Sequence, residues 1–139
     1  MTATTTSRGV TFIRPTTDER HEQKNILNLV DQLGGVYQTI GTGHRQQFCV
    51  CGVRTTDQGT RQSPGLPDLW IVLPPAPATR AATPNAPWVA LWVEVKGKGG
   101  TLSPEQVECK YVNERAGVVH LVGGLDAFLA WLRAGGWVR

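Results

Sequence analysis

The chain has 139 residues, 40% of them hydrophobic, which suits one compact domain with a single core. No apolar run approaches the roughly 20 residues that a membrane-spanning helix needs, and the N-terminal residues lack the apolar stretch of a secretory signal. The net charge of +3 permits a polyanionic partner without requiring one.

The first predicted element is a helix. Residues 1–15 open with the polar run MTATTTSRG and are expected to form a disordered tail, so that a single domain covers 16–139. The threonines at 16–17 can cap a helix whose apolar residues recur at helical spacing over Ile26–Leu33. A glycine pair at 34–35 then ends this helix.

Strands are predicted next. Two short ones are expected at 36–40 and 47–53, on either side of a glycine-rich turn at 41–45, and a polar loop follows at 54–63. The run Leu69–Leu73 is wholly apolar, which is typical of a buried strand.

The second half of the chain alternates strands and helices. A proline-rich connection at 74–87 precedes a strand at 88–95, and a serine, a proline and a glutamine at capping-box spacing open a helix over 103–115. A strand at 118–122 and a helix at 125–133 complete the order. This pattern predicts a mixed α/β domain with a central sheet flanked by helices.

The strand at 88–95 runs into a polar pair. Alternation places Glu94 and Lys96 on one face, while Leu91, Val93 and Val95 point toward the core. A central strand that sets a carboxylate beside an ammonium group is a candidate active-site element. The alternative is a solvated face with a cross-strand salt bridge.

Two further carboxylates stand out. Asp68 follows Pro67 at the entry to the buried strand, where it is either a ligand or part of an ordinary turn. Glu22 shares the helix face of Ile26 and Leu29, so it either faces a polar cleft or lies in water at a frayed helix end.

These residue types suit phosphodiester hydrolysis, which needs a divalent cation held by carboxylates and positive charge near the phosphorane. Asp68 and Glu94 on neighbouring strands could hold Mg²⁺, with the Val95 carbonyl as a further ligand. Lys96 could orient or deprotonate the attacking water, or stabilise the transition-state charge.

This set of residues resembles the PD-(D/E)xK nuclease superfamily and, more closely, the VRR-NUC family of virus-type replication-repair nucleases. The resemblance covers residues 18–133 and departs from the family in the long proline-rich insert before Glu94. It implies a restriction-endonuclease-like core. The matching segments are Glu22, Gly65–Leu69, Val93–Lys96, Leu102–Gln106, the strand from Gly117 and Asp126–Phe128.

The resemblance also implies roles. Asp68 and Glu94 would bind Mg²⁺ or Mn²⁺, Lys96 would be the catalytic lysine, and Glu22 would add a metal or water contact. Gln106 would support the active-site strand. From the residues alone Gln106 is also a helix-capping side chain, and the two roles can coexist.

Five basic side chains are candidate DNA contacts. His44, Arg45, Arg54 and Arg61 cluster in predicted loops, and Lys98 lies in a glycine-rich loop just after Lys96. Such groups could bind phosphates, although solvated loop charge is the alternative.

The expected function is therefore a metal-dependent DNA endonuclease, structure-selective on branched DNA such as four-way junctions, in the manner of phage-encoded enzymes. The alternatives are a nicking or homing-type endonuclease, a nucleic-acid-binding module with an idle site, and a structural subunit of a larger assembly. Symmetric cutting of a junction needs two sites, which predicts a homodimer. Trp131, Trp137 and Val138 could form its interface, unless Trp131 packs on the sheet and the C-terminal residues fray.

The three cysteines are an odd number, and Cys49 and Cys51 lie two apart in a predicted strand, too far apart for easy bridging. This favours reduced thiols in a cytoplasmic protein. Their spacing also lacks the second ligand pair of a zinc site.

Overall fold

The computed structural model describes residues 19–40 and 65–139 in full, together with the backbone of four short strands between residues 4 and 56. The elements are β1 (Thr4–Ser7), β2 (Val10–Ile13), α1 (Glu19–Gln32), β3 (Val36–Thr39), β4 (Gln46–Phe48), β5 (Arg54–Thr56), β6 (Leu69–Leu73), α2 (Pro77–Ala82), β7 (Val89–Val95), α3 (Pro104–Arg115), β8 (Val119–Gly123) and α4 (Leu125–Ala134).

Among the described strands, four form the central sheet in the order β3-β6-β7-β8. β6 runs antiparallel to both β3 and β7, whereas β8 runs parallel to β7 and follows it through α3. The domain is therefore α/β with a mixed sheet flanked by helices, as the order of predicted elements indicated. None of the described helices combines the length and the apolar character that a membrane-spanning helix requires.

One face of the sheet forms the core. Alternate residues of β6 and β7 point to this face and are fully or almost fully buried, as the apolar run and the strand alternation predicted. α1 and α4 cover this face with their own apolar stripes. The buried side chains are Ile26, Leu29, Val30, Leu69, Ile71, Leu73, Leu91, Val93, Val95, Leu125, Phe128, Leu129 and Leu132.

The opposite face carries α3. Glu94 and His120 both point to it, because the register pairs Glu94 with Val122 and Trp92 with His120 across β7 and β8. α3 contacts both residues, through Gln106 and Asn113 respectively. The predicted catalytic carboxylate therefore lies between the sheet and the first turns of α3.

Three segments differ from the prediction. The proline-rich stretch contains the short helix α2, whose Pro77 occupies a first-turn position where no backbone N–H is needed. β5 pairs with β4 where a loop was predicted from Arg54 onward. β1 and β2 pair with each other within residues 1–15. The threonines predicted to cap α1 lie outside the described residues.

The C-terminal residues belong to the core. Trp137 and Val138 are 8% and 4% exposed, and the Trp137 indole Nε1 donates to the Pro74 carbonyl at 2.7 Å. Trp131 stacks on Trp137 with ring centroids 5.0 Å apart and packs against the core. The prediction that Trp137 and Val138 supply a dimer interface is therefore wrong, and so is the alternative that they fray.

Gly65 marks a close approach between the turn before β6 and the first turn of α3. Its φ is +88°, and a Cβ there would lie 2.4 Å from the Glu105 carbonyl oxygen. Only glycine lets these two segments meet, and the segments carry Asp68 and Gln106.

We predict that Gly65→Ala destabilises the fold more than Gly117→Ala does. Gly117 also has a positive φ, +76°, but a Cβ there would meet nothing within 4 Å. Gly117→Ala should lower the free energy of unfolding by about 1–2 kcal/mol through the left-handed backbone alone. Gly65→Ala should add about 1–3 kcal/mol of steric cost. Equal losses in urea unfolding would show that the close approach is not tight.

Candidate active site

Asp68 holds the end of β7. The β6–β7 register pairs Leu69 with Val93, so residue 67 falls opposite Val95. Asp68 Oδ2 accepts a hydrogen bond from the Val95 backbone N–H at 2.9 Å. Pro67 has no N–H with which to bond the Val95 carbonyl in return. The ladder therefore ends here, and this local chemistry is consistent with the Val95 carbonyl serving as a ligand.

Glu94 is buried and its two carboxylate oxygens differ. The residue is only 2% exposed. Oε1 accepts from Gln106 Nε2 at 2.6 Å and lies 3.4 Å from Lys96 Nζ. Oε2 is buried without a hydrogen-bond partner among the described residues. A buried carboxylate oxygen without a partner is costly, so its environment suits a cation or a proton.

The electrostatics at Glu94 agree with this geometry. Burial and the nearby charge of Asp68 raise the pKa of Glu94 from its ordinary 4.5 to about 7, although the Lys96 ammonium opposes the rise. Two carboxylates that approach each other in this way repel unless a proton or a cation joins them.

Gln106 makes two kinds of contact, one within the first turn of its own helix and one to β7. Its backbone N–H donates to Ser103 Oγ at 3.2 Å, and its Oε1 accepts from the Ser103 N–H at 2.8 Å, which completes the capping box. Its amide nitrogen donates to Glu94. One side chain therefore fixes the start of α3 and the orientation of the Glu94 carboxylate.

Two lysines follow Glu94 closely in the chain. Lys96 is half-buried beside Glu94, as the predicted alternation required. Lys98 is exposed at the tip of a turn in which the Gly100 N–H donates to the Gly97 carbonyl at 3.0 Å. Its predicted contact with a phosphate stays a prediction.

Glu22 lies at the same end of the sheet as Glu94, but it bonds to the helix α4. Its Oε2 accepts from the Leu125 backbone N–H at 2.8 Å, at the N-terminus of α4. Gly124 accommodates it, because a Cβ at that position would lie 2.6 Å from Glu22 Oε2. Glu22 therefore supplies the cap that α4 lacks from its own residue Gly124.

The residues present fit a hard divalent cation. Within residues 19–40 and 65–139, no three His, Cys, Asp or Glu side chains come together as a metal-binding group. Mg²⁺, however, commonly uses only one or two carboxylates and takes its other ligands from water and substrate phosphates. Asp68, the Glu94 oxygen that has no described partner and the Val95 carbonyl would supply an all-oxygen set of this kind.

The other predicted DNA contacts cannot be placed in the same way. His44, Arg45 and Arg61 lie outside the described residues, and only the backbone of Arg54 is described, at the start of β5. Their proposed contacts with phosphates stay predictions.

His120 is a polar residue to which sequence reasoning assigned no role. It is 7% exposed, and its Nδ1 lies 2.9 Å from Asn113 Nδ2. Burial, with the charge of Lys110, lowers the pKa of His120, so the ring is neutral and Nδ1 accepts from the amide. Only the β7–β8 register, which pairs it with Trp92, could have placed this side chain beneath α3.

Comparison with protein-family models, with curated proteins and with solved structures found no match to this chain. The resemblance to VRR-NUC nucleases therefore depends on the motif residues themselves and stays a prediction.

Removing the charge of Glu94 should change how stability depends on pH. Because the folded-state pKa is raised to about 7 from 4.5, the folded chain holds this proton more tightly than the unfolded chain does. The resulting stabilisation is complete below pH 4.5 and is lost as the pH rises through about 7. In EDTA, Glu94→Gln should therefore match the wild type near about pH 4 and exceed it near about pH 8, by up to about 3 kcal/mol.

The control for that experiment is Glu108→Gln, which also removes one negative charge, but from an exposed carboxylate. Its pH–stability curve should follow that of the wild type. A Glu94→Gln curve that also follows the wild type would mean that Glu94 is not perturbed by burial.

Glu22 should stabilise α4 through its bond to the Leu125 N–H. Glu22→Ala removes the acceptor for the Leu125 N–H and should cost about 1–2 kcal/mol. Glu22→Gln keeps an acceptor oxygen and should cost less than about 1 kcal/mol. Glu19→Ala, at an exposed position in the same helical turn, is the control. If thermal unfolding shows that Glu22→Ala and Glu19→Ala destabilise the protein equally, the capping role is contradicted.

Proposed function

We propose that this protein is a Mg²⁺- or Mn²⁺-dependent DNA endonuclease with a PD-(D/E)xK core of the VRR-NUC type. One observation supports this most strongly: the buried Glu94 Oε2 has no partner among the described residues, beside Asp68 and Lys96. A structural ion pair alone does not account for that orphaned oxygen, whereas a cation ligand does.

In this proposal each side chain has a separate task. Asp68, Glu94 and the Val95 carbonyl would hold the cation, which polarises a phosphate oxygen and lowers the pKa of a bound water. Lys96 stabilises the negative charge that develops on the phosphorane and orients the attacking water. Gln106 occupies Glu94 Oε1 and so leaves Oε2 for the cation. Glu22 braces α1 against α4 at the edge of the site.

The substrate within this proposal is branched DNA, cut by a homodimer whose two sites match the symmetry of a four-way junction. Because Trp137 and Val138 are buried in the core, such a dimer would have to use another surface. A nicking or homing-type endonuclease is the alternative enzyme. A binding module with an idle site is less consistent with a retained aspartate, glutamate and lysine that lie together.

We predict that the protein cuts DNA with Mg²⁺ or Mn²⁺ and not in EDTA. Asp68→Asn and Glu94→Gln remove ligand charge, and Lys96→Ala removes the stabilising cation, so each should reduce cleavage by at least about 100-fold. Lys110→Ala, which removes a half-buried ammonium that pairs with Glu114, should cut at the wild-type rate.

The assay compares supercoiled plasmid, linear duplex, single strands and a four-way junction. Preferential paired incision of the junction would support the branched-DNA proposal, and single nicks by a monomer would favour the nicking enzyme. Full activity in EDTA, or in all three site variants, would overturn the nuclease assignment.

A further inference from the structure

An open groove of about 270 Å³ runs between α1 and β3, which forms one edge of the central sheet among the described strands. None of its described lining residues is used by the catalytic site. They are Arg20, Gln23, Lys24, Leu27, Asn28 and Tyr37.

The lining residues that belong to α1 lie on one flank of that helix. Arg20, Lys24 and Asn28 recur every four residues and are exposed. The core-facing stripe, which includes Ile26, is buried. This flank lies beside the buried stripe, and its exposed side chains reach the surface of the helix.

Both walls of the groove lead toward the end of the sheet that carries Asp68 and Glu94. On α1, Glu22 precedes the lining residue Gln23 and bonds to the Leu125 N–H at the end of the sheet that bears Glu94. On the other side, the chain leaving β3 donates from the Ile40 N–H to the Asp68 carbonyl at 2.8 Å. A polymer lying in the groove would thus approach the catalytic carboxylates along either wall.

The chemistry of the lining suits a phosphodiester backbone. An arginine, a lysine, two side-chain amides and a phenol offer hydrogen-bond donors, and no carboxylate is among the described lining residues. The groove is open and smaller than the roughly 300–1,000 Å³ of pockets that enclose small ligands. These features favour a chain that continues beyond the groove.

We propose that the α1–β3 groove binds the DNA backbone that flanks the scissile phosphate. The inference rests on the proposed nuclease function for the identity of the polymer. Arg20 and Lys24 supply the positive charge, and Gln23, Asn28 and Tyr37 supply neutral contacts that position the strand.

The test measures binding without cleavage. Fluorescein-labelled DNA, as a duplex and as a single strand, is titrated with the protein in EDTA across a range of salt concentrations. Arg20→Gln/Lys24→Gln should weaken duplex binding on the order of 10- to 100-fold near about 0.1 M salt and lower the slope of log K against log salt by about 1.8.

Two further variants keep this test decisive. Arg80→Gln/Arg115→Gln removes the same charge from exposed positions on α2 and α3, outside the groove, and should leave the slope unchanged. Asn28→Lys adds a cation within the groove and should tighten binding, raising the slope by about 0.9. The gain in affinity cannot result from misfolding.

The outcomes separate this inference from the nuclease proposal. Groove-dependent binding by a protein that never cuts with Mg²⁺ or Mn²⁺ would support the groove and overturn catalysis. The groove inference would be overturned if the wild type cuts DNA, both double variants bind DNA equally well and Asn28→Lys does not change the affinity. Absence of DNA binding by the wild type would overturn it as well.

Discussion

The burial of the Glu94 carboxylate is the constraint on which the site depends. A charged group that is 2% exposed must be compensated, yet only one of the two Glu94 oxygens has a hydrogen-bond partner among the described residues. Gln106 and Lys96 share Oε1, and the like charge of Asp68 lies near the Glu94 carboxylate. Without a cation, this environment raises the pKa of Glu94. A bound cation would instead compensate the carboxylate charge by coordinating it.

The surrounding fold is arranged so that this carboxylate cannot move away. Asp68 ends the β6–β7 ladder by taking the Val95 N–H, and Gln106 ties the start of α3 to Glu94. Gly65 lets the turn before β6 contact the same turn of α3. These interactions join two strands and a helix at one point, which is the rigid support that a preorganised site requires.

Local sequence signals predicted much of this arrangement. The apolar run at Leu69–Leu73, the capping box at Ser103 and the alternation around Glu94 each depend on neighbours in the chain, and each was confirmed. Interactions between residues far apart in the chain could not be predicted from these local signals. Glu22 meets the Leu125 amide across 103 positions, and Trp137 reaches the Pro74 carbonyl across 63. No local periodicity encodes such contacts, because they depend on how whole elements pack.

The most direct test of a cation centre built on Glu94 is a Mn²⁺ titration followed by electron paramagnetic resonance, near about pH 8, where Glu94 is ionised. We predict one tightly bound ion per chain in the wild type and in Lys96→Ala, because the ammonium is not a ligand. Asp68→Asn and Glu94→Gln should lose this ion. A wild-type protein that binds no Mn²⁺, or binds it equally well after both carboxylates are neutralised, would contradict the account.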